Sequence, residues 1–461
     1  MAKKEPKRTM WQPRPYETRA VKELRILLTA HECVLAVGPT GCGKTVIASM
    51  LLTLMKSWRV LFVVHRYELA DQAYKALRAS GVDAGIIMAQ EERMHGSHRA
   101  DTTARVQVAS VQTLVHRPFD GNVDLIVVDE AHRVMAESYQ AILRQYPRAR
   151  VLGLTATPER ADGKGLSDVF RHLFVIALPS ELQRDDYLAD PRWFGARADV
   201  VAKLAERLKG TRVSNGDYAP ADLARAVDSK FLLGSVVSET LRIAPGVRKA
   251  VFAGSVAHSR KLAAAFKRKG VKAAHLDAEV PPLEREAMLE EFAKGDIEVI
   301  CNFDVLSEGW DLPALGAVVL ARPFRSRTRY LQVVGRGMRP RVGSRPIVID
   351  HGNNAPRFGI WPGDDIEWSL TETKRAGSGE PPWTMCDACL TKIPAASLSC
   401  PECGAECREA KARRERDEAE AQLEEATRAQ YLALRARVEK VAAEKGAPQG
   451  WVDKVMREIA A

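Results

Sequence analysis

The chain has 461 residues, of which 46% are hydrophobic and 28% charged, and its 69 Lys and Arg against 59 Asp and Glu give a formal net charge of +10. This length predicts roughly two to four domains, and the near-average composition excludes collagen-like and wholly disordered chains. The positive excess is compatible with a polyanionic partner and equally with an ordinary soluble enzyme.

Residues 1–10 are basic and polar without an apolar segment behind them, which is unlike a secretory signal. The longest apolar runs, such as Val60–Val64, are far shorter than the ~20 residues of a membrane span. We therefore expect a cytoplasmic protein without membrane contact. In that reducing compartment, closely paired cysteines indicate metal binding rather than disulfides.

The first part of the chain alternates short apolar strands with amphipathic helices. The predicted strands are Cys33–Val37, Val60–Val64, Val106–Ala109, Leu125–Val128 and Val151–Leu154. Helices are predicted at Ile47–Met55 and Tyr67–Ala79. Unbroken apolar strands between helices predict a parallel sheet that is covered on both faces.

A second alternating block begins near Val247. Its predicted strands are Ala250–Phe252, Lys272–Leu276, Ile297–Cys301, Ala317–Leu320 and Ile347–Ile349, and its predicted helices include His258–Lys269 and Leu283–Lys294. The less regular residues 166–246 are expected to connect the two blocks. The predicted fold class is therefore α/β, with tandem parallel-sheet lobes at residues 1–165 and 247–372.

The composition changes after the second block. Residues 373–406 are predicted to hold a linker and a small module with four cysteines, and residues 407–461 a charged helical tail. The apolar residues of the tail fit one helical face; they are Leu423, Tyr431, Leu434, Val438 and Val441. Gly446 and Pro448 should end that helix, and 451–459 could form a last short one.

The most specific motif follows the first strand and opens a helix. It is the phosphate loop Gly38-Pro39-Thr40-Gly41-Cys42-Gly43-Lys44-Thr45. Its glycines let backbone N–H groups turn toward phosphates, and the helix N-terminus adds positive potential. Lys44 can reach the β- and γ-phosphates, and the Thr45 hydroxyl can ligate Mg²⁺.

An acidic pair ends the strand Leu125–Val128. Asp129 is well placed there to hold Mg²⁺, and Glu130 could orient and deprotonate an attacking water. Such a pair is also common as a helix cap. Next to a phosphate loop, the catalytic interpretation is favoured.

The order of these motifs resembles superfamily 2 helicases of the DEAD/DEAH type. The residues that carry the resemblance are GPTGCGKT, Asp129-Glu130-Ala131-His132, Thr155-Ala156-Thr157-Pro158, VLSEGWD at 305–311 and QVVGRGMRP at 332–340. Within the superfamily, the sequence IDHGN near 349–353, followed by four cysteines, is most similar to RadD-like and phage-type DNA helicases. The resemblance covers residues 13–352 and implies two RecA-like lobes with ATP between them.

The resemblance also implies roles for residues of both lobes. Arg336 and Arg339 would act as arginine fingers, Gln332 would order the water or the γ-phosphate, and Asp311 would contact the ribose. His132, Thr155 and Thr157 would couple hydrolysis to lobe movement. The nucleic-acid contacts that it implies are His65, Arg66, Ser110, Gln112, Thr113, Ser255, His258 and Ser307. Because hydroxyl and amide groups suit phosphates rather than bases, we expect little sequence specificity.

One position departs from the family pattern. Tyr16 and Glu17 lie in a segment similar to the adenine-recognition element, which usually has glutamine where Glu17 stands. A carboxylate cannot donate to adenine N7, although it can accept from the exocyclic amine. The sequence therefore predicts nucleotide hydrolysis and leaves open whether ATP is preferred over other nucleotides.

The four-cysteine module contains two CxxC pairs, Cys386/Cys389 and Cys400/Cys403, with ten residues between them. Four thiolates at this spacing predict a structural Zn²⁺ ribbon, with a redox dithiol or an iron–sulfur cluster as alternatives. Cys407 is not expected to be a ligand. The module could contact nucleic acid or a protein partner, as could the helical tail, or it could simply stabilise the chain.

The sequence thus predicts an ATP- and Mg²⁺-dependent superfamily 2 DNA helicase or translocase, acting in repair, recombination or replication. Two alternatives also involve ATP-driven movement on nucleic acid: a translocase on double-stranded or branched DNA that does not unwind, and an RNA helicase. An alternative of another class is a scaffold that recruits partners through the zinc module, with the ATPase as a switch.

Overall fold

The computed structural model describes residues 12–65, 67–87, 103–160, 165–214, 216–306, 315–340, 345–360, 367–371, 383–394, 397, 399–407, 428–448, 450–453 and 455. The chain divides into two compact units, Met1–Gly379 and Glu380–Ala461. The first unit contains both α/β lobes, and the second contains the cysteine module and the tail.

Lobe 1 is built on a parallel sheet of seven strands in the order β3-β4-β2-β5-β6-β1-β7. The strands are β1 Cys33–Val37, β2 Val60–Val64, β3 Ala84–Ile87, β4 Val106–Ser110, β5 Leu125–Asp129, β6 Arg150–Thr155 and β7 His172–Val175. The five predicted strands are confirmed, and β3 and β7 were not predicted. The central strands are buried along almost their whole length, as helices on both faces require.

The helices of lobe 1 lie between these strands. They are α1 Pro15–Ala30, α2 Lys44–Leu54, α3 Tyr67–Ala79, α4 Val111–His116 and α5 Glu137–Gln145, with a 3₁₀ turn at Ala131–Arg133. Helix α1 begins with Pro15 in its first turn, where proline is tolerated, and the Glu17 carboxylate accepts from the Arg14 N–H at 2.8 Å. This cap fixes the entry of α1 next to the phosphate loop.

Lobe 2 is built on a parallel sheet of six strands in the order β12-β13-β11-β14-β15-β8. Its strands are β8 Arg192–Gly195, β11 Lys249–Phe252, β12 Ala273–Leu276, β13 Val299–Asn302, β14 Ala317–Leu320 and β15 Ile347–Asp350. A separate antiparallel pair is formed by β9 Val213–Ser214 and β10 Asp217–Tyr218. The five strands predicted after Val247 are confirmed.

The helices of the remaining part of this unit surround the second sheet or lead to it. They are α6 Pro179–Arg184, α7 Ala198–Leu208, α8 Pro220–Val227, α9 Lys230–Ile243, α10 Val256–Arg268, α11 Pro282–Lys294, α12 Arg327–Gly335 and α13 Ala355–Phe358. Helix α12 is buried over most of its length. It carries part of the motif at 332–340 into the space between the lobes.

Residues 166–246, expected to connect the lobes, contribute strands to both sheets. Strand β7 pairs with β1, and β8 pairs with β15. The crossing between the lobes is therefore confined to residues 176–191. The two edge strands are only four residues long, too short for their periodicity to distinguish them from loop.

The chain returns to lobe 1 after completing lobe 2. The Leu370 carbonyl accepts from the N–H groups of Leu166 and Ser167 at 2.8 and 3.0 Å. Trp368 and Leu370 pack against the hydrophobic core of lobe 1. We call residues 367–371 the return segment.

The second unit contains a small antiparallel pair, β16 Trp383–Met385 and β17 Lys392–Pro394, and the helix α14 Arg428–Lys445. Helix α14 ends at Gly446, which has a φ of +61°. Val438 is half-buried and Val441 is exposed, whereas Leu423 lies outside the described residues. Among the helices described, none is both long and apolar enough to cross a membrane.

Candidate active site

Three of the predicted motifs meet at one edge of the lobe 1 sheet. Strands β5, β6 and β1 are neighbours, and all three run parallel. Because parallel strands end at the same edge, the phosphate loop, the acidic pair and Thr155 lie side by side. The Gly38 N–H donates to the Thr155 carbonyl at 3.0 Å, which joins two of these loops directly.

The phosphate loop adopts a conformation that needs glycine. Gly41 and Gly43 have φ of +90° and +77°, and a Cβ on Gly38 would lie 2.7 Å from the Cys42 Sγ. The Lys44 Nζ donates to the Gly38 carbonyl at 2.9 Å, so the ammonium is folded back over the loop. This arrangement presents backbone N–H groups, a helix N-terminus and a cation at one point.

The element around Tyr16 and Glu17 lies against the same loop. The Tyr16 hydroxyl donates to the Cys42 carbonyl at 2.9 Å, and Glu17 is 2% exposed. Burial raises the pKa of Glu17 above its usual range, although its hydrogen bond from Arg14 opposes this. Sequence reasoning missed Tyr187, whose ring lies 5.3 Å from that of Tyr16 and under the Arg14 guanidinium.

The acidic pair combines unequal electrostatics with an unusual backbone. Burial and the adjacent Glu130 raise the pKa of Asp129 to about 6. Burial alone would raise the pKa of Glu130 too, but the hydrogen bond and charge of His132, with help from Lys44 and Arg336, lower it to about 2. Glu130 has a φ of +51°, a left-handed conformation that is rare outside glycine and asparagine. The pKa values of the two neighbouring carboxyl groups are thus pushed apart, that of Asp129 upward and that of Glu130 downward.

Helix α12 of lobe 2 reaches this pair across the cleft. The Gln332 Nε2 donates to the Glu130 Oε2 at 3.3 Å. At the end of the helix, a Cβ on Gly335 would lie 2.5 Å from the Thr40 Cβ, so the helix backbone touches the phosphate loop. Arg336 follows directly and is half-buried, and Arg339 is exposed.

The residues predicted to couple hydrolysis to movement bridge the lobes. His132 Nδ1 lies 3.4 Å from the Glu130 Oε2 and 3.5 Å from the Thr155 Oγ1. The Thr157 hydroxyl donates to the Thr328 hydroxyl of α12 at 3.0 Å. Since the Thr155 hydroxyl also donates to the Thr157 carbonyl at 2.7 Å, a continuous chain of polar contacts runs from the acidic pair to lobe 2.

Sequence reasoning missed the lobe 2 side of this contact. Arg327 makes an ion pair of 2.9 Å with Glu159, and both side chains are less than one-fifth exposed. The Thr328 hydroxyl also donates to the Glu159 carbonyl at 3.2 Å. The only available signal was the position of Arg327 and Thr328 one turn before Gln332.

The described residues among the predicted nucleic-acid contacts lie at the carboxyl ends of β2, β4 and β11 or in the first turns of the helices α4 and α10 that follow, and several are buried. Ser110 and Ser255 cap α4 and α10 with their hydroxyl groups. Thr113 bonds to Ser110, and His258 is 2% exposed with its Nδ1 accepting from the Gly254 N–H at 3.1 Å. Gln112 is exposed and His65 half-buried. Because the side chains of Ser110, Thr113 and His258 are buried, contact with a nucleic-acid strand at these positions would have to come from the neighbouring backbone.

Three predicted site residues lie outside the described part of the chain. They are Arg66, Ser307 and Asp311. Their roles stay predictions.

The four predicted metal ligands converge in the second unit. The Sγ atoms of Cys386, Cys389, Cys400 and Cys403 all lie within 4.8 Å of one another. Two pairs, Cys386/Cys403 and Cys389/Cys400, are separated by 3.7 Å. Tetrahedral coordination with metal–sulfur bonds of about 2.3 Å places sulfur atoms about 3.8 Å apart, so the arrangement fits one ion.

The two CxxC pairs of this module have the same backbone pattern. The residue after each pair donates its N–H to the carbonyl of the first cysteine: Leu390 to Cys386 and Gly404 to Cys400, both at 2.8 Å. Leu390 and Gly404 both have positive φ. Burial opposes ionisation of Cys386, but the N–H groups of Cys389 and Ala388 outweigh it and lower the pKa of its thiol to about 7, whereas burial and the neighbouring thiols raise the pKa of Cys389 to about 12. A bound metal ion would displace the remaining protons. Thiolates are the form that binds metal.

Two parallel sheets that face each other across a phosphate loop define the class of two-lobed P-loop nucleoside triphosphatases. Residues 10–160 match the family described as type III restriction enzyme, res subunit, and residues 234–341 match the helicase conserved C-terminal domain. The two matches correspond to lobe 1 and to most of lobe 2.

Individual relatives agree with these matches. A 51.5 kDa protein of a Lactococcus phage is 31% identical over 332 residues, which are 72% of this chain and 68% of the phage protein. DNA 3'-5' translocase XPB2 of Sulfurisphaera tokodaii is 24% identical, over 71% of this chain and 78% of its own. A Saccharomyces cerevisiae relative, IRC3, is longer; it is 29% identical over 65% of this chain and 45% of its own.

The solved structure of the type ISP restriction-modification enzyme LlaBIII bound to DNA shares the fold. The TM-score is 0.57 at 15% identity, and the match covers 74% of this chain and 28% of that enzyme. The chain therefore belongs to superfamily 2 of the helicases, ATP-dependent enzymes that act on nucleic acid.

Proposed function

We propose that this protein is a DNA helicase or translocase in which ATP hydrolysis between the lobes drives movement along DNA during repair, recombination or replication. The observation that carries the proposal is the contact of Gln332 with Glu130 together with that of Gly335 with Thr40. These contacts bring the arginine-bearing end of α12 to the phosphate loop. Hydrolysis then depends on lobe closure, which is what a motor requires.

The residues of the cleft fit an ATP·Mg²⁺ complex. Backbone N–H groups of residues 38–45 and Lys44 would hold the phosphates, and Thr45 and Asp129 would hold Mg²⁺, which supplies charge neutralisation on the phosphate oxygens. Glu130, which His132 holds in the ionised form by keeping its pKa below the usual range, would orient the attacking water and accept its proton. Arg336 and Arg339 would balance the charge that develops on the transferred phosphoryl group.

Coupling would run through the hydroxyl chain. Thr157 contacts Thr328 on α12, and Arg327 holds Glu159 beside it. A change at the γ-phosphate alters the environment of Glu130 and His132, and this chain of contacts would pass the change to lobe 2. The loops after β2, β4 and β11 would then grip and release the sugar-phosphate backbone in turn.

DNA is the proposed nucleic acid because XPB2, which this chain matches over most of the XPB2 sequence, is named as a DNA translocase. The alternatives stay open as outcomes of one experiment. ATP hydrolysis is measured without nucleic acid, and with single-stranded DNA, duplex DNA and RNA. We expect DNA to stimulate hydrolysis. Stimulation by RNA alone would show that the protein acts on RNA instead of DNA. Equal rates in all four conditions would contradict a nucleic-acid motor.

A Lys44→Ala variant is the companion measurement. It should lose ATP hydrolysis because the phosphates lose their cation. Hydrolysis at the wild-type rate would contradict the assignment of the phosphate loop. A strand-displacement assay on the wild type then separates unwinding from translocation alone.

We also propose that the cysteine module holds a structural Zn²⁺. Four sulfur ligands close the tetrahedron and leave no position for a substrate, so the ion would supply folding energy rather than catalysis. The module would be a contact for nucleic acid or for a protein partner. Metal analysis of freshly purified protein should find about one zinc per chain, and Cys389→Ser should reduce it. Iron in place of zinc would contradict the proposal.

A further inference from the structure

The antiparallel pair β9–β10 places a buried acid against lobe 2. Asp217 and Arg322 form an ion pair of 2.7 Å, and their side chains are 5% and 4% exposed. The Asp217 Oδ1 also accepts from the Arg325 N–H at 2.9 Å, and its Oδ2 accepts from the Arg329 Nη1 at 3.4 Å. One carboxylate thus binds the loop before α12 and the first turn of α12 itself.

The same loop is held from the other side by Asn354, the residue directly after the sequence IDHGN. The Asn354 Oδ1 accepts from the Phe324 N–H at 2.6 Å, and its Nδ2 donates to the Arg322 carbonyl at 3.0 Å. Asp350 in turn fixes Asn354 by accepting from its N–H and its Nδ2 at 2.6 and 2.8 Å. The backbone of Arg322, Phe324 and Arg325 is therefore fixed by side chains from two directions.

This loop sets the start of the helix that reaches the active site. Ser326 caps α12 by accepting from the Arg329 N–H at 3.3 Å, and the helix then continues without a break to Gly335. Arg336 stands seven residues, or about 10 Å along the axis, after Arg329. Since the helix is rigid and buried, a shift at its start is carried to Gln332 and Arg336.

We propose that Asp217, backed by Asn354, is a positioning residue for ATP hydrolysis. By holding both the loop before α12 and Arg329, it fixes the distance of Gln332 and Arg336 from Glu130. This inference rests on the proposed function, because it takes Gln332 and Arg336 to act on the phosphates. Asp217 touches neither the nucleotide loop nor the acidic pair, so its effect is transmitted through α12.

The first experiment compares Asp217→Asn with the control Asp304→Asn. The first change keeps the shape and an acceptor for the Arg325 N–H but removes the charge that faces Arg322. Asp304 faces the same arginines at 3.8 and 3.6 Å from a position that is 40% exposed. The readouts are kcat and KM for DNA-stimulated ATP hydrolysis, on protein whose folding is verified by circular dichroism.

Asp217→Asn should lower kcat about ten-fold with KM for ATP changed less than about two-fold, because a small misplacement of a catalytic group reduces turnover more than binding. Asp304→Asn should stay within about two-fold of the wild type in both constants. A kcat for Asp217→Asn equal to that of the control would overturn the proposal. If the wild type itself has no ATPase activity, the proposed function fails instead.

A double-mutant cycle with Arg336→Ala separates positioning from general stability. If Asp217 acts through the end of α12, then Asp217→Asn should cause little further loss of kcat in a chain that already lacks Arg336. Losses that multiply would show that Asp217 acts elsewhere, and the proposal would be wrong. Should Asp217→Asn not fold, Arg329→Gln replaces it in the cycle, since that side chain is 42% exposed and can be removed without opening the core.

Discussion

The carboxyl edges of the two sheets use polar residues in opposite ways. At the edge of lobe 1, Glu130 and the phosphate loop hold left-handed backbone and point polar groups into the cleft. At the edge of lobe 2, Asp350 and Asn354 are buried and bond to each other and to the neighbouring loop. Glu130 and the phosphate loop thus stay available for a ligand, whereas Asp350 and Asn354 are used to fix backbone.

This difference suggests a division of work. In the proposed mechanism, lobe 1 would carry most of the groups that touch nucleotide, and lobe 2 would deliver a few groups of α12 to the correct place. Polar changes at the first edge should therefore reduce activity and leave folding intact. Changes at the second edge should reduce stability first.

The largest expected effect is on activity at the lobe 1 edge. Glu130→Gln should lower kcat for ATP hydrolysis by about 10²–10⁴-fold, the usual range for loss of a general base. ATP binding should persist because Lys44 and the loop are unchanged. Steady-state hydrolysis and equilibrium binding of a fluorescent ATP analogue measure the two effects. A fall in binding that matches the fall in turnover would contradict the division of work.

A smaller effect is expected on stability at the lobe 2 edge. Asn354→Ala leaves the Phe324 N–H and the Arg322 carbonyl without their partner, so unfolding should require about 2–6 kcal/mol less, given about 1–3 kcal/mol for each buried polar group left unpaired. Urea unfolding followed by circular dichroism measures this loss. The control is Asn353→Gly at the adjacent, exposed position, where φ is +53° and glycine relieves strain. Equal losses in the two variants would remove the distinction between the edges.

The smallest of the three effects is a dependence on pH in lobe 2. Burial lowers the pKa values of His258 and His351 to about 4, so between pH 7 and pH 5 the unfolded chain binds protons that the folded chain does not. Each histidine should therefore cost roughly 2 kcal/mol of stability over this interval. Burial raises the pKa of Asp350 to about 6, which opposes the loss because the folded state takes up a proton there first.

Urea unfolding at pH 7 and pH 5 tests this dependence. The wild type should be less stable at pH 5, and His351→Leu should show a smaller difference between the two pH values. His116→Gln removes an exposed histidine and serves as the control. An unchanged difference in His351→Leu would mean that this buried ring does not titrate as proposed.

The sequence was sufficient for the elements whose signal is local. Strands such as β1 and β2 were predicted with their observed bounds because each is a run of five apolar residues, rich in valine, that stops at a glycine or a polar residue, and such a run is too short for a typical helix. The phosphate loop and the cysteine pairs were found in the same way, because their chemistry is encoded in short spacings. The convergence of the four Sγ atoms followed from that spacing.

Pairings between distant residues could not be predicted. Asp217 and Arg322 are separated by 105 positions, and nothing near either one marks the other. The crossing at 176–191 was also hidden, since β7 and β8 are brief apolar runs in an otherwise irregular segment. The burial of Ser110 and His258 depends on how α4 and α10 close over their loops, which the order of residues does not reveal.

The return segment limits how far the cleft can open. The chain passes from lobe 1 to lobe 2 through residues 176–191, and it is fastened to lobe 1 again where Leu370 bonds to Leu166 and Ser167. Seven peptide links separate Ile360, buried beside lobe 2, from Glu367, and they can span about 25 Å at most. While those bonds hold, the two lobes are joined covalently at two places, so in the proposed motor their separation would be limited by chain length as well as by the contacts that ATP would make.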